Sequence, residues 1–80
     1  MNTLADLKPG ESGVITDIRL TGAIKRRLLD LGFTAGTKIT MIRRSPFGDP
    51  IEFYILNCSL CIRKSTANKI LIERSGTKHE

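Results

Sequence analysis

Arg27-Leu28-Leu29-Asp30-Leu31-Gly32-Phe33, with Gly36 three residues further on, is the stretch that sets the fold. Ile24, Leu28 and Leu31 recur at helical spacing, which predicts a helix over Gly22 to Leu31 whose one apolar face lids the sheet and buries all three. Gly32 stands where the left-handed C′ residue of a helix belongs, because glycine has no Cβ to clash there. With Leu31 as C-cap, Phe33 becomes C″ and packs back on Leu28, the contact of a Schellman stop. Gly36 bends the backbone again, and Lys38 to Arg44 starts as a strand. Alone, this motif is a helix-to-strand corner of the kind found in many small mixed domains.

Working outward, Gly13 to Arg19 reads as a first strand, Lys38 to Arg44 as a second and Ile51 to Leu56 as a third. The third alternates, with Ile51, Phe53 and Ile55 toward a core and Glu52 and Tyr54 outward. Asn57-Cys58 turns the chain, and Ser59 to Arg63 returns with Leu60 and Ile62 inward. Ile70 to Glu73 makes a fifth strand, with Ile70 and Ile72 on one face. Thr3 caps a short turn through Leu7, which Lys8-Pro9-Gly10 breaks, and Ser65 caps a helical turn through Lys69. The polar stretch Arg74 to Glu80 reads as a frayed end, so residues 1–74 form the domain and 75–80 a tail.

Parallel strand pairs need crossovers of a dozen or more residues, and only one connection here is that long. The expected fold is therefore mainly β within an α+β arrangement: about five antiparallel strands with one inserted helix. Closing that sheet into a small barrel would remove its exposed edges.

Eighty residues make one domain with a thin core. No apolar run approaches the roughly 20 residues that cross a bilayer, and Met1 to Asp6 lacks the basic and apolar regions of a signal peptide. The cytoplasm is the expected location. A net charge of +5 and a pI near 9.7 suit attraction to phosphates, anionic lipids or an acidic protein. The cations are divided among Lys25, Arg26 and Arg27, then Arg43 and Arg44, then Arg63 and Lys64. The plain reading is a solubilising surface, with a specific basic docking face as the alternative.

Cys58 and Cys61 have C-x-x-C spacing, but a structural zinc site needs four ligands and the one histidine, His79, lies in the tail. Two residues three apart in a strand also face opposite ways. Two inert thiols is the plain reading, with a weak or intermolecular metal contact as the alternative. No nucleophile–histidine pair or phosphate-cradling glycine motif occurs, so an enzyme is not expected. Asp30 opposes the helix dipole, and Arg26 or Arg27 one turn earlier would offset it in a local ion pair. Asp49 suits an Asx-type turn before Pro50, and Phe47 suits either the core or an exposed interface anchor.

Ser45-Pro46-Phe47-Gly48-Asp49-Pro50-Ile51 joins two strands, and its prolines and glycine forbid regular structure. Following the helix stop and basic strand at this spacing, it resembles the FeoA family, small partners of the bacterial ferrous-iron transporter FeoB. The module is also similar to the C-terminal domain of iron- and manganese-dependent repressors. Leu7, Gly10, Gly13, Leu60, Ile62, Arg63, Ala67 and Ile70 extend the likeness to roughly residues 4–73. Ala35 and Cys61 depart from the pattern, where proline and a small aliphatic residue are usual. The resemblance implies an SH3-like barrel acting as a non-enzymatic accessory protein of ferrous-iron uptake, docked on the cytosolic G domain or channel mouth of FeoB. The docking face it suggests is Lys25, Arg26, Arg27 and Asp30, with Phe47, Gly48 and Asp49 alongside.

Membrane contact is expected only through the transporter, and the oligomeric state stays open. No cofactor is required. A transition-metal-responsive module with weak Fe(II) binding is the second reading. Nucleic-acid binding is the third and is not expected, since few aromatics are spared for stacking.

Overall fold

The computed structural model describes residues 2–74, a six-stranded antiparallel sheet with two short α-helices. The elements are β1 (Asn2–Thr3), a 3-10 turn (Leu4–Asp6), β2 (Ser12–Ile18) and α1 (Gly22–Asp30), then β3 (Lys38–Arg44) and β4 (Ile51–Ile55). They continue with β5 (Cys58–Ile62), α2 (Lys64–Ala67) and β6 (Ile70–Arg74). The five expected strands fall within one residue of their anticipated limits, because period-2 burial fixes them. Ile51, Phe53 and Ile55 are buried, whereas Tyr54 between them is exposed.

The ladder runs β1-β6-β2-β3-β4-β5 and differs from the expected barrel at its edges. β1 is an additional two-residue strand pairing Asn2 with Ile72 and Thr3 with Leu71. Among the described residues β1 and β5 do not pair, so the sheet curls without closing. The 3-10 turn and α2 pack on one another instead, so helical turns rather than a ladder cover this side.

Two arginines hold the N-terminal segment. Arg44 Nη2 donates to the Ala5 carbonyl at 2.7 Å and the Leu7 carbonyl at 3.2 Å. Arg74 donates to Glu11 at 3.1 Å and to the Asp6 carbonyl at 3.0 Å. Arg74 therefore ends β6 as a fixed residue, where a frayed end was expected to begin; residues 75–80 lie outside the described residues. The turn itself starts as anticipated: Asp6 Oδ2 accepts from the Thr3 N–H at 2.9 Å.

The helix stop forms as read. Gly32 has φ +101°, the Phe33 N–H donates to Leu28 O at 3.0 Å and the Gly32 N–H to Leu29 O at 3.0 Å. Those are the two bonds of a Schellman motif. The amphipathic face behaves otherwise. Within α1 only Leu28 is buried, while Ile24 and Leu31 remain 44% and 48% exposed. The expectation that all three lid the sheet fails because the strands and N-terminal turn already fill the interior. Leu4, Leu7, Met41 and Phe53 are fully buried there. The helix is left with Leu28 and the adjoining Phe33 as its hold on the core.

Candidate functional site

Lys25, Arg26 and Arg27 sit on α1, with Lys25 half-buried and both arginines exposed. None of them joins an ion pair among the described residues, and the expected Asp30 pair does not form. Among the described residues three ion pairs form, joining Arg19 to Asp17, Arg43 to Glu52 and Arg74 to Glu11, none of them on α1. Glu52 raises the Arg43 guanidinium further above its ordinary value, first through its hydrogen bond and then through its charge. The cations of α1 have no such neighbour.

Phe47 crowns the β3–β4 loop. The Gly48 N–H donates to Ser45 O at 2.8 Å and closes the turn, leaving Phe47 96% exposed. Asp49 does not make the local turn expected of it. Its Oδ1 accepts from the Lys64 N–H at 2.8 Å, capping α2 from fifteen residues away. The cap residue of α2, Arg63, has no side chain able to accept that bond, and Ser65 lies inside the helix rather than before it.

The two groups of expected docking residues stand apart rather than side by side. α1 delivers the chain to the Lys38 end of β3, and the Phe47 loop leaves from the Arg44 end. Seven residues of strand separate them, roughly 20 Å at the usual rise per residue. Helix and loop therefore make two surfaces.

The end of the molecule at α1 carries a residue that pattern reading passed over. β4 and β5 are joined through Leu56 and Asn57, which have φ +49° and +66°. Positive φ at both central residues is the geometry of a type I′ hairpin, normally Asn-Gly. A leucine there costs about 1–2 kcal/mol. Leu56 is 61% exposed, and its Cδ1 covers Gly32, where an added Cβ would collide with it. Leu56 thus packs over the Gly32 stop of α1, and it also lines a groove with Lys38, Thr40, Tyr54 and Asn57. The sequence reading placed the turn one residue later, at Asn57-Cys58.

Cys58 and Cys61 both lie in β5, exposed and unbridged. Cys61 is opposite Glu52 and Cys58 is opposite Ile55. Among the described residues no three of His, Cys, Asp and Glu gather in metal-binding range. No helix described is long and apolar enough to span a membrane.

Comparison with known proteins places this architecture. A fusion of Fe(2+) transport protein A with the Fe(2+) transporter FeoB, from Porphyromonas gingivalis, is 31% identical over 70 residues, which are 88% of this chain. The chain spans only 8% of that relative's length. The FeoA protein of Chlorobium tepidum superposes with a TM-score of 0.91 at 32% identity, covering 98% of this chain and 74% of that one. Stenotrophomonas maltophilia FeoA, an SH3 domain protein solved with zinc, gives 0.81 at 27% identity over 91% of both chains. A manganese-dependent transcriptional repressor gives 0.76 over 91% of this chain and 41% of its own at 17% identity, a likeness of fold alone. The FeoA domain model matches residues 2–74, so this SH3-like chain belongs to the FeoA family, which is associated with ferrous-iron transport.

Proposed function

We propose that this chain is a non-enzymatic accessory protein of ferrous-iron uptake that docks on the cytosolic part of a FeoB-type transporter. The observation that carries the reading is the Porphyromonas gingivalis relative, in which the matching domain and the transporter are one polypeptide. Fusion supports association, because a tether keeps two modules at high effective concentration and gives even a weak contact an effect. The α1 residues Lys25, Arg26, Arg27 and Asp30 form the first candidate contact. Phe47, Gly48 and Asp49 form a separate second one.

The test is calorimetry with the cytosolic portion of the cognate FeoB. Reversal of both Arg26 and Arg27 to Glu is expected to weaken binding about tenfold, since each exposed pair is worth up to about 1 kcal/mol. Phe47→Ala, measured separately, reports whether the far loop is engaged. No heat of binding with both proteins folded would reject the docking reading. A metal-responsive role is the weaker reading, because Cys61 and Glu52 face each other on neighbouring strands without a third donor. Anaerobic Fe(II) titration that leaves the amide spectrum unchanged would remove it.

A further inference from the structure

We infer that the α1 end of the molecule adsorbs directly to an anionic lipid surface through Ile24, Leu31 and Leu56, ringed by Lys25, Arg27 and Lys38. This goes beyond docking on the transporter and does not depend on it. The sequence pattern offered no reason for direct lipid contact, because it assigned Ile24 and Leu31 to the core. Their exposure, and that of Leu56, changes the case.

The three apolar residues lie at one end of the molecule. Ile24, Leu28 and Leu31 share one helical face, and with Leu28 inside, its neighbours flank it at the surface. Leu56 lies over Gly32, the residue that follows Leu31. The hairpin holds this leucine at its tip in a left-handed conformation that leucine rarely adopts, and backbone strain of this kind clusters at functional sites. Tyr54, 44% exposed, lines the groove next to Leu56 with its hydroxyl directed to Asn57 Oδ1 at 3.2 Å. An apolar ring ending in a polar hydroxyl suits the headgroup region.

Charge decides which partner fits. Arg27 is three residues from Ile24 and four from Leu31, so it borders the apolar stripe. Lys25 borders its other side, and Lys38 stands across the Leu56 groove. Asp30 is turned about 120° from Ile24 around the helix and lies one turn from Arg26 and Arg27 without pairing with either. Asp6, Glu11, Asp17, Asp49 and Glu52 are committed to hydrogen bonds on other elements, and Glu73 stands two strands from Lys38. Lys25, Arg26, Arg27 and Lys38 thus outnumber Asp30 and Glu73, and the field at the α1 end stays positive. A second copy of this chain would bring like charges together across the patch, which disfavours self-association there. A partner helix would need an apolar trough. These side chains instead stand on a helix and a turn tip, and polar residues line most of the adjacent groove. A broad anionic surface meets both the projecting leucines and the cationic rim, and neither signal alone is strong enough to hold a protein there.

The experiment uses the full chain with vesicles of phosphatidylcholine, with and without phosphatidylglycerol. Binding is read by co-sedimentation and by emission of Tyr54, the one tyrosine in a chain lacking tryptophan. The chain is expected to bind only phosphatidylglycerol-containing vesicles, and less as salt rises. Leu56→Asn suits the type I′ turn, so it keeps the fold while removing the apolar tip. It is expected to lower partitioning about tenfold, as is the paired Lys25→Glu and Arg27→Glu variant. Arg63→Glu with Lys64→Glu, an equal charge change elsewhere, is expected to leave most binding intact.

Three results overturn the inference. One is no sedimentation with anionic vesicles at low salt. The second is undiminished binding by Leu56→Asn with a native circular-dichroism spectrum. The third is an equal loss from the Arg63 and Lys64 variant, which would mean that net charge alone acts. A patch that ignores lipid while Leu56→Asn weakens binding to the transporter's cytosolic part would be a protein interface instead.

Discussion

Replacing Gly32 by alanine tests how the stop of α1 is built. At φ +101° a Cβ pays the left-handed cost, about 1–2 kcal/mol for an L-residue. The new Cβ would also collide with Leu56 Cδ1. That methyl ends a largely exposed side chain, so it yields by leaving its rotamer, at about 0.5–1.5 kcal/mol. Alanine restricts the unfolded chain and returns about 0.4–1 kcal/mol. The net loss is about 0.5–3 kcal/mol, which in a domain this size lowers the melting temperature by roughly 2–24 °C.

Gly36 supplies the control. Its φ is +93° and nothing lies within 4 Å of an added Cβ, so Gly36→Ala carries the backbone cost without a collision. Thermal unfolding by circular dichroism should rank wild type above Gly36→Ala and Gly36→Ala above Gly32→Ala. In a Leu56→Ala background the two glycine substitutions should cost the same, because the colliding methyl is gone. A Gly32→Ala protein as stable as wild type would refute the reasoning, as would a gap from Gly36→Ala that survives removal of the leucine side chain.

Two further substitutions probe the rest of the scaffold. Leu28→Ala removes the single buried side chain of α1 and is expected to cost about 2–4 kcal/mol. A nine-residue helix does not hold without packing, so the amides of α1 should lose exchange protection before those of β3 and β4. Arg44→Met keeps the aliphatic stem but leaves the Ala5 and Leu7 carbonyls without their donor, at about 1–3 kcal/mol. Hydrogen exchange at Thr3 and Leu7 should rise first, and uniform destabilisation without that local effect would contradict the assigned role.

How far the sequence could be read follows the range of the interactions. The glycine stop, the alternation of Ile51, Phe53 and Ile55 and the breaks at Pro9 and Pro46 act over a few residues, and each appears where the pattern set it. Asp49 was misread as a local turn residue because its acceptor role toward Lys64 depends on two loops meeting. Arg44 looked like a surface cation, yet its partners lie 37 and 39 residues away. Leu56 carried no signal at all, since a leucine in a type I′ turn contradicts the turn's own residue preference.

By itself, then, the sequence determined five of the six strands, the helix and its stop, and the antiparallel sheet, because near-neighbour sterics and burial period dictate them. Only the tertiary structure decided which apolar side chains on α1 reach the interior. Ile24 and Leu31 share the periodicity of Leu28, but the curled sheet is filled by its own strands and admits one of the three. The Phe47 loop and the helix cations, by contrast, fall at opposite ends of β3 by element order alone, a separation that the expected single docking face overlooked.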